Sequence, residues 1–399
     1  MRVLELDMIQ TVVLAAAVVF AGHWIRRRAG VLDRHNFPAT VLGGLLCLAV
    51  MQALERTGIL RVELDTALLT PLAAASFATI GLGLSVVSLR SLGRQGLRLW
   101  VLALLLATAQ TAVGVGLANG FGLAPPAGLI AGPMTLTGGH GIGGAFGILL
   151  EGPLPGAVTF AMTLATAGVG IGAVLGPAVT GFLVRRHGLV REPDPSTRSV
   201  APAAGDRSET PAEPAAYGLL KTLTVVLLAM AAGGLLVRLV EGNLLLPGYV
   251  AAMLAGAVVR NLFDVVRVTR IPQHTVEDVG TIALSLFVAM ALLSVDISAL
   301  GRTAAVLLAI LVVQAALGAG FAALATFPTM GRDTDAAVIA GGHAALSVGG
   351  AAGAVADLAA AGERYGPAPR ALRLVPAVGG TPLGFTVVLL VTLALNLMR

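Results

Sequence analysis

Two short stretches hold the residue types that could do chemistry. Gly138-Gly139-His140-Gly141 follows Thr135 and Thr137, and Gly341-Gly342-His343 is followed by Ser347, Gly349, Gly350 and Asp357. The segments around them, 124–147 and 336–358, are too rich in glycine for a robust continuous helix and too apolar for an ordinary aqueous loop. Irregular backbone at membrane depth, held against protein or a watery cavity, offers free N–H groups and a half-helix N-terminus to an anion. Its unwound carbonyls suit Na⁺, and glycine lets a ligand approach closely. The chemistry to expect is binding of a small carboxylate together with a coupling cation. The candidate substrate- and ion-binding residues are Thr137, Gly138, Gly139, His140, Gly141, Gly341, Gly342, His343, Ser347, Gly349, Gly350 and Asp357.

Each has a blander explanation. Glycines in apolar helices also serve close packing. His140 and His343 are ionisable groups at membrane depth and so functional candidates by default, able to bond tip carbonyls or substrate or to carry a proton. A neutral histidine satisfied by backbone is the alternative. Asp357, the acid of the second segment, is a Na⁺ ligand or proton site unless it reaches the surface. Gln110 and Gln314 are supporting polar residues expected to bond across helices, and Glu151 and Glu363 flank the segments as solvated groups.

The elements that must position these residues are membrane helices. The chain of 399 residues is 56% hydrophobic and only 12% charged, with mean hydropathy +0.89. Soluble domains carry about 25% charged residues, and lipid rather than a core must absorb the apolar excess. Spans are predicted near 7–25, 38–54, 67–89, 99–119 and 157–184, then near 217–240, 245–260, 279–295, 303–326 and 371–397. The net charge of +5 does not point to nucleic acid, because the arginines cluster at span ends. Arg26–Arg28 and Arg34, Arg90–Arg98, Arg185–Arg207, Arg260–Arg270 and Arg364–Arg373 all fall on one side under this count, as the positive-inside rule requires. Both termini are then expected outside and the central loop in the cytoplasm. Thr11–Ile25 precedes its arginines rather than following them, so it is expected to be a retained span, not a cleaved signal. The lone Cys47 offers no intramolecular disulfide.

The chain divides into 1–184, a linker over 185–216 whose Pro-, Ser- and charge-rich composition predicts disorder, and 217–399. An odd number of spans gives the halves opposite orientation, and their landmarks match. Arg98 lies twelve residues before Gln110, as Arg302 does before Gln314. Gly-Gly-His follows each glutamine by about thirty residues, and Leu84-Ser85-Val86 matches Leu293-Ser294-Val295. The predicted fold is an all-α polytopic membrane protein built from two inverted-topology repeats of five transmembrane helices, each with a re-entrant hairpin (about 124–147 and 336–358).

In LTGGHGIGGAFG (136–147), LSLFVAMALLSV (284–295), AGGH (340–343) and ERYGPAPRALRLVPAVGG (363–380) the chain resembles the bacterial glutamate:sodium symporters, in order over nearly its whole length outside the linker. The resemblance implies a bacterial inner-membrane carrier for Na⁺-coupled glutamate uptake, a homodimer with an elevator-like moving domain, and no cofactor beyond the coupling ion. The chain departs from the family pattern at Ile142, where members usually carry Thr. It departs again at Ala351, Ala352, Gly353 and Asp357, which replace a Thr-Pro-Asn stretch and a further Asn, and near Gly384 and Val387. Losing those polar groups leaves open a proton-coupled carrier of another small organic anion. Two readings of other classes stand beside it. One is an ion channel, since opposed hairpins also occur in channels. The other is an intramembrane hydrolase using His343 and Ser347, for which no Gly-x-Ser-x-Gly elbow or His-Glu-x-x-His is present. No P-loop occurs either, so an electrochemical gradient is expected to drive any transport.

Overall fold

A computed structural model describes residues 2–30, 37–189, 215–266, 272–296, 301–365 and 368–398. Most of the expected linker lies outside these residues, as do Arg34, Arg191, Arg198, Arg207, Arg267, Arg270 and the side chains of Arg302, Asp357 and Glu363. Among the described residues nine helices are long and apolar enough to cross a membrane. They are α1 (Met8–Arg28), α2 (Ala39–Arg56), α5 (Gly93–Gly120), α8 (Ala157–His187), α9 (Ala215–Val240), α10 (Gly248–Val266), α11 (Gln273–Leu293), α12 (Gly301–Phe321, prolonged by a π-turn and by α13, Phe327–Met330) and the pair α15–α16 (Pro369–Gly379 and Thr381–Leu397). Their backbone bonds close within each helix, the only economical arrangement in hydrocarbon. One small departure from an all-helical chain is a parallel pair of strands, β1 (Arg2–Leu6) and β2 (Leu60–Leu64). It sets the start of the chain beside the α2–α3 connection.

The span expected near 67–89 is shorter than predicted: α3 (Leu69–Gly83) has 15 residues, followed after a break by α4 (Val86–Ser91). Asn261 of α10 explains how the break is tolerated. Its side chain donates to the Leu84 carbonyl at 2.9 Å and accepts from the Val86 amide at 2.9 Å, replacing the helical partners both groups lose. Leu84-Ser85-Val86 and Leu293-Ser294-Val295, the sequence landmarks, each coincide with a helix end.

The remaining elements are the irregular ones. α6 (Pro125–Ile130) leads through turns over 131–138 into α7 (Gly139–Leu150). α14 (Thr334–Tyr365) is helical except at Gly350, whose φ of 62° and ψ of −161° no side-chain-bearing residue adopts cheaply. A third break lies at Gly380 between α15 and α16, within the region expected as one span (371–397).

The helices pack in two groups. α1, α2, α3, α9, α10 and α11 contact one another, and α5, α6, α7, α8, α12, α14 and α15 form the second set. The ion pairs Arg260–Asp264 and Arg370 with Asp333 and Asp335 each stay inside one group. α16 is bonded to both: Trp100 of α5 donates to Thr386 at 3.1 Å, and Asn396 exchanges hydrogen bonds with the backbone of Leu245 before α10. Small residues let helices touch backbone to backbone. A methyl on Gly81 would overlap the Met253 carbonyl, one on Gly256 would lie 2.5 Å from the Ala78 carbonyl, and one on Gly341 would overlap the Thr180 hydroxyl and sit 2.7 Å from the Gly176 carbonyl. For Gly341, then, close packing is part of its role. Gly81→Val and Gly341→Ala are therefore expected to lower the yield of monodisperse protein on size exclusion and to lower its melting temperature, overpacking costing about 1–3 kcal/mol.

Candidate functional site

The turn before α7 and the break in α14 meet. Thr137 donates to the Ser347 carbonyl at 3.4 Å, and a Cβ on Gly350 would lie 3.1 Å from the Thr137 carbonyl. The Ser347 carbonyl also accepts from Nε2 of Gln110 at 3.2 Å. Gln314 in turn donates to the Gln110 backbone carbonyl at 2.8 Å, so the two glutamines matched between the halves sit at one crossing of α5 and α12. Both are fully buried, and both side-chain oxygens lack a donor. Their orientation is determined by chemistry: each NH₂ faces a carbonyl, and a flipped amide would set oxygen against oxygen.

These breaks line one wall of a cavity of about 540 Å³, within the usual range for small-molecule sites of roughly 300–1,000 Å³. That wall comprises Thr137–Ile142, Gly349–Ala351, Val169 and Gly379–Thr381 with Gly384. α7 and the helix resuming after Gly350 both begin here, which brings the positive ends of two helix dipoles to one space. The facing wall comes from the other helix group: Thr40 of α2, Ser76 and Thr79 of α3, and Gln273, Glu277, Thr281 and Ser285 of α11.

The candidate residues thus separate. Thr137, Gly138, Gly139, His140, Gly141, Gly349 and Gly350 line the cavity. Gly341, Gly342 and His343 are buried about two turns behind Gly350. Ser347 contributes its carbonyl, while its hydroxyl bonds back to the Ala344 carbonyl at 2.8 Å. The histidines have side-chain rather than backbone partners: His140 Nε2 lies 3.0 Å from the Thr166 hydroxyl, and His343 Nδ1 2.8 Å from that of Thr326. The Asp357 side chain is outside the described residues. Glu151 is exposed, as expected, but caps α8 by accepting from the Gly156 and Val158 amides at 2.7 and 3.0 Å.

Sequence reasoning passes over the facing wall. Gln273, Glu277, Thr281 and Ser285 recur every fourth residue and so share one face of α11. A span drawn from 279 leaves the first two in a loop, where polar residues attract no notice. Extending the apolar stretch back to Gln273 exposes the ladder. Thr166 and Thr326 carried no signal of their own, since a hydroxyl that bonds its own helix is common in apolar spans.

A family model described as sodium/glutamate symporter matches residues 4–367. The sodium/glutamate symporter of Escherichia coli (strain K12) is 34% identical over 379 residues, covering 94% of each chain. That of Haemophilus influenzae is 29% identical over 373 residues, covering 93% of this chain and 92% of the other. Such matches, end to end over a helical membrane scaffold, set the chain among carriers rather than enzymes. It belongs to the sodium/glutamate symporter family.

Proposed function

We propose that the chain is a Na⁺-coupled glutamate symporter of the bacterial inner membrane. In this reading the breaks at 131–138 and Gly350 are tips of re-entrant hairpins in two inverted five-span halves. The halves run over 1–184 and 217–399, with both termini outside and the central loop cytoplasmic. The helix group carrying both tips travels against the other in an elevator-like motion, and two copies form a homodimer.

The observation that carries the reading is the convergence of two helix starts, at Gly139 and after Gly350, on one cavity bounded by both helix groups. No arginine or lysine lines it among the described residues. A carboxylate there is held by backbone N–H groups and helix dipoles, a seat that suits an anion without a fixed counter-charge. His140 and Thr137 border that seat with their side chains fixed by Thr166 and by the Ser347 carbonyl, which leaves donation to the carboxylate to the backbone. The Gln110 and Gln314 oxygens support a place for the coupling ion. Each buried acceptor left without a donor costs about 1–3 kcal/mol, and Na⁺ is a partner that needs only oxygen. Beyond the cavity the groups meet through rings and a hydroxyl: Phe146 of α7 packs edge-on against Tyr249 of α10 at 5.3 Å, and Thr159 of α8 accepts from the Asp296 amide after α11 at 3.2 Å. Neither kind of contact is costly to exchange as the groups slide.

Purified protein in proteoliposomes is expected to accumulate labelled glutamate when Na⁺ is high outside, and to lose uptake when choline replaces Na⁺. Uptake that ignores Na⁺, or none with any gradient, would sink the proposal. Gly139 has φ of 63° and open space where a Cβ would point. Gly139→Ala is expected to keep its size-exclusion profile, at a conformational cost of about 1–2 kcal/mol. Its methyl narrows the seat and lowers uptake by on the order of tenfold or more. Unchanged uptake would show that the tip does not touch the substrate.

A further inference from the structure

Among the described residues that line the cavity one carries a formal charge, and it is negative. Among the described lining residues Glu277 is the only acid, and His140 is the only other titratable group. Glu277 belongs to the Gln273, Glu277, Thr281, Ser285 ladder on the α11 face that looks across the cavity at the glycine tips.

The described residues around it hold it in place without neutralising it. Arg260 of α10, the nearest base in the network, is paired with Asp264 at 3.2 Å, and Asp264 also accepts from Ser85 at 2.6 Å. Arg260 then donates to the Gln273 side-chain oxygen at 2.9 Å, and the Gln273 amide donates to Oε1 of Glu277 at 3.1 Å. A neutral amide therefore stands between guanidinium and carboxylate. Oε1 is oriented by one hydrogen bond, and Oε2 has no partner among the described residues. Glu277 is itself exposed to the cavity. An oriented carboxylate with no cation paired to it among the described residues, facing a seat for carboxylates, does not help an anion bind. It repels a ligand carrying only negative charge and attracts one that also brings a positive group.

We infer that Glu277 recognises the α-ammonium group of the substrate, so that the site selects α-amino acids over dicarboxylates that lack the amine. The inference rests on the reading of the cavity as the glutamate site. The shared chemistry is that of a cation, and a second source for it is the coupling Na⁺, so the test must separate the two.

Counterflow of labelled glutamate in proteoliposomes, with unlabelled glutamate, glutarate or 2-oxoglutarate as competitor, reads selectivity directly. In the unmodified protein unlabelled glutamate should compete at far lower concentration than glutarate. In Glu277→Gln, which keeps the shape and the Gln273 contact, the apparent affinity for glutamate should fall about tenfold or more, the usual weight of a charged hydrogen bond. Affinity for glutarate should hold or improve, so that the selectivity ratio collapses. The Na⁺ concentration giving half-maximal rate should stay unchanged. If both ligands weaken equally, or the Na⁺ requirement rises while selectivity persists, Glu277 is a structural or cation-site residue and the inference fails. If the unmodified protein shows no Na⁺-dependent glutamate counterflow, the underlying reading fails instead. Should Glu277→Gln purify poorly, Glu277→Asp provides the same readout with the charge retained. Its selectivity ratio should stay closer to that of the unmodified protein than to a neutral variant's, and a collapse in Asp as complete as in Gln would overturn the charge argument.

Discussion

The Ser347 carbonyl is the point on which the rest of the arrangement depends. Breaking a helix in apolar surroundings frees backbone groups that water cannot reach, and each must find a partner. Here the carbonyl freed just before the Gly350 break receives both Gln110 from α5 and Thr137 from the turn before α7. Those two hydrogen bonds tie the second break to α5 and to the turn before α7, whose own amides bond within the turn. Gln314 extends the set by donating to the Gln110 backbone, which ties α12 to the same crossing. Close approach of α8 and α14 through Gly168, Gly172 and Gly349 then holds the second break against a long helix. The tips are positioned by backbone contact rather than by interlocking side chains.

This construction gives the cavity two unlike walls. The tip wall offers mostly backbone and the N-termini of two helices, while the facing wall offers hydroxyls, an amide and a carboxylate from α2, α3 and α11. The walls belong to different helix groups, and α16, bonded to both and joined to α15 at Gly380, is one element that bridges them. A cavity divided in this way is sensitive to relative movement of the groups. Displacement by a helical turn would replace every residue of the ladder opposite the tips while leaving the tips themselves intact.

How much of this was legible depends on what kind of signal each feature leaves. Apolar runs, terminal arginines and the matched Gln and Gly-Gly-His landmarks follow from local composition, and the helices stand close to where those marks predict. Boundaries were weaker, and the consequence was specific. Starting a span at 279 rather than at Gln273 hid Glu277, the acid that faces the cavity. The glycine clusters were legible as irregular backbone, but their composition did not say which glycines face a cavity and which face a helix. Gly139 opens onto space, whereas Gly341 lies against Thr180. The histidines announced themselves as buried ionisable groups, yet their partners Thr166 and Thr326 are distant in sequence by 26 and 17 residues.

By itself the sequence determined that the chain is a membrane protein, where most of its helices run, and which two glycine-rich segments are prone to break. Those properties are sums over neighbouring residues: transfer of side chains into lipid, helix propensity, and the charge bias at helix ends. Only the tertiary structure decided that the two breaks share one carbonyl, that Gln110 and Gln314 meet, and that a polar ladder on α11 faces the tips across a cavity. Each of these joins residues from different helices, and in an apolar bundle the pairing is selected by which backbone groups remain to be satisfied and where small residues let helices approach. That selection is made over the whole fold, so no single segment contains it.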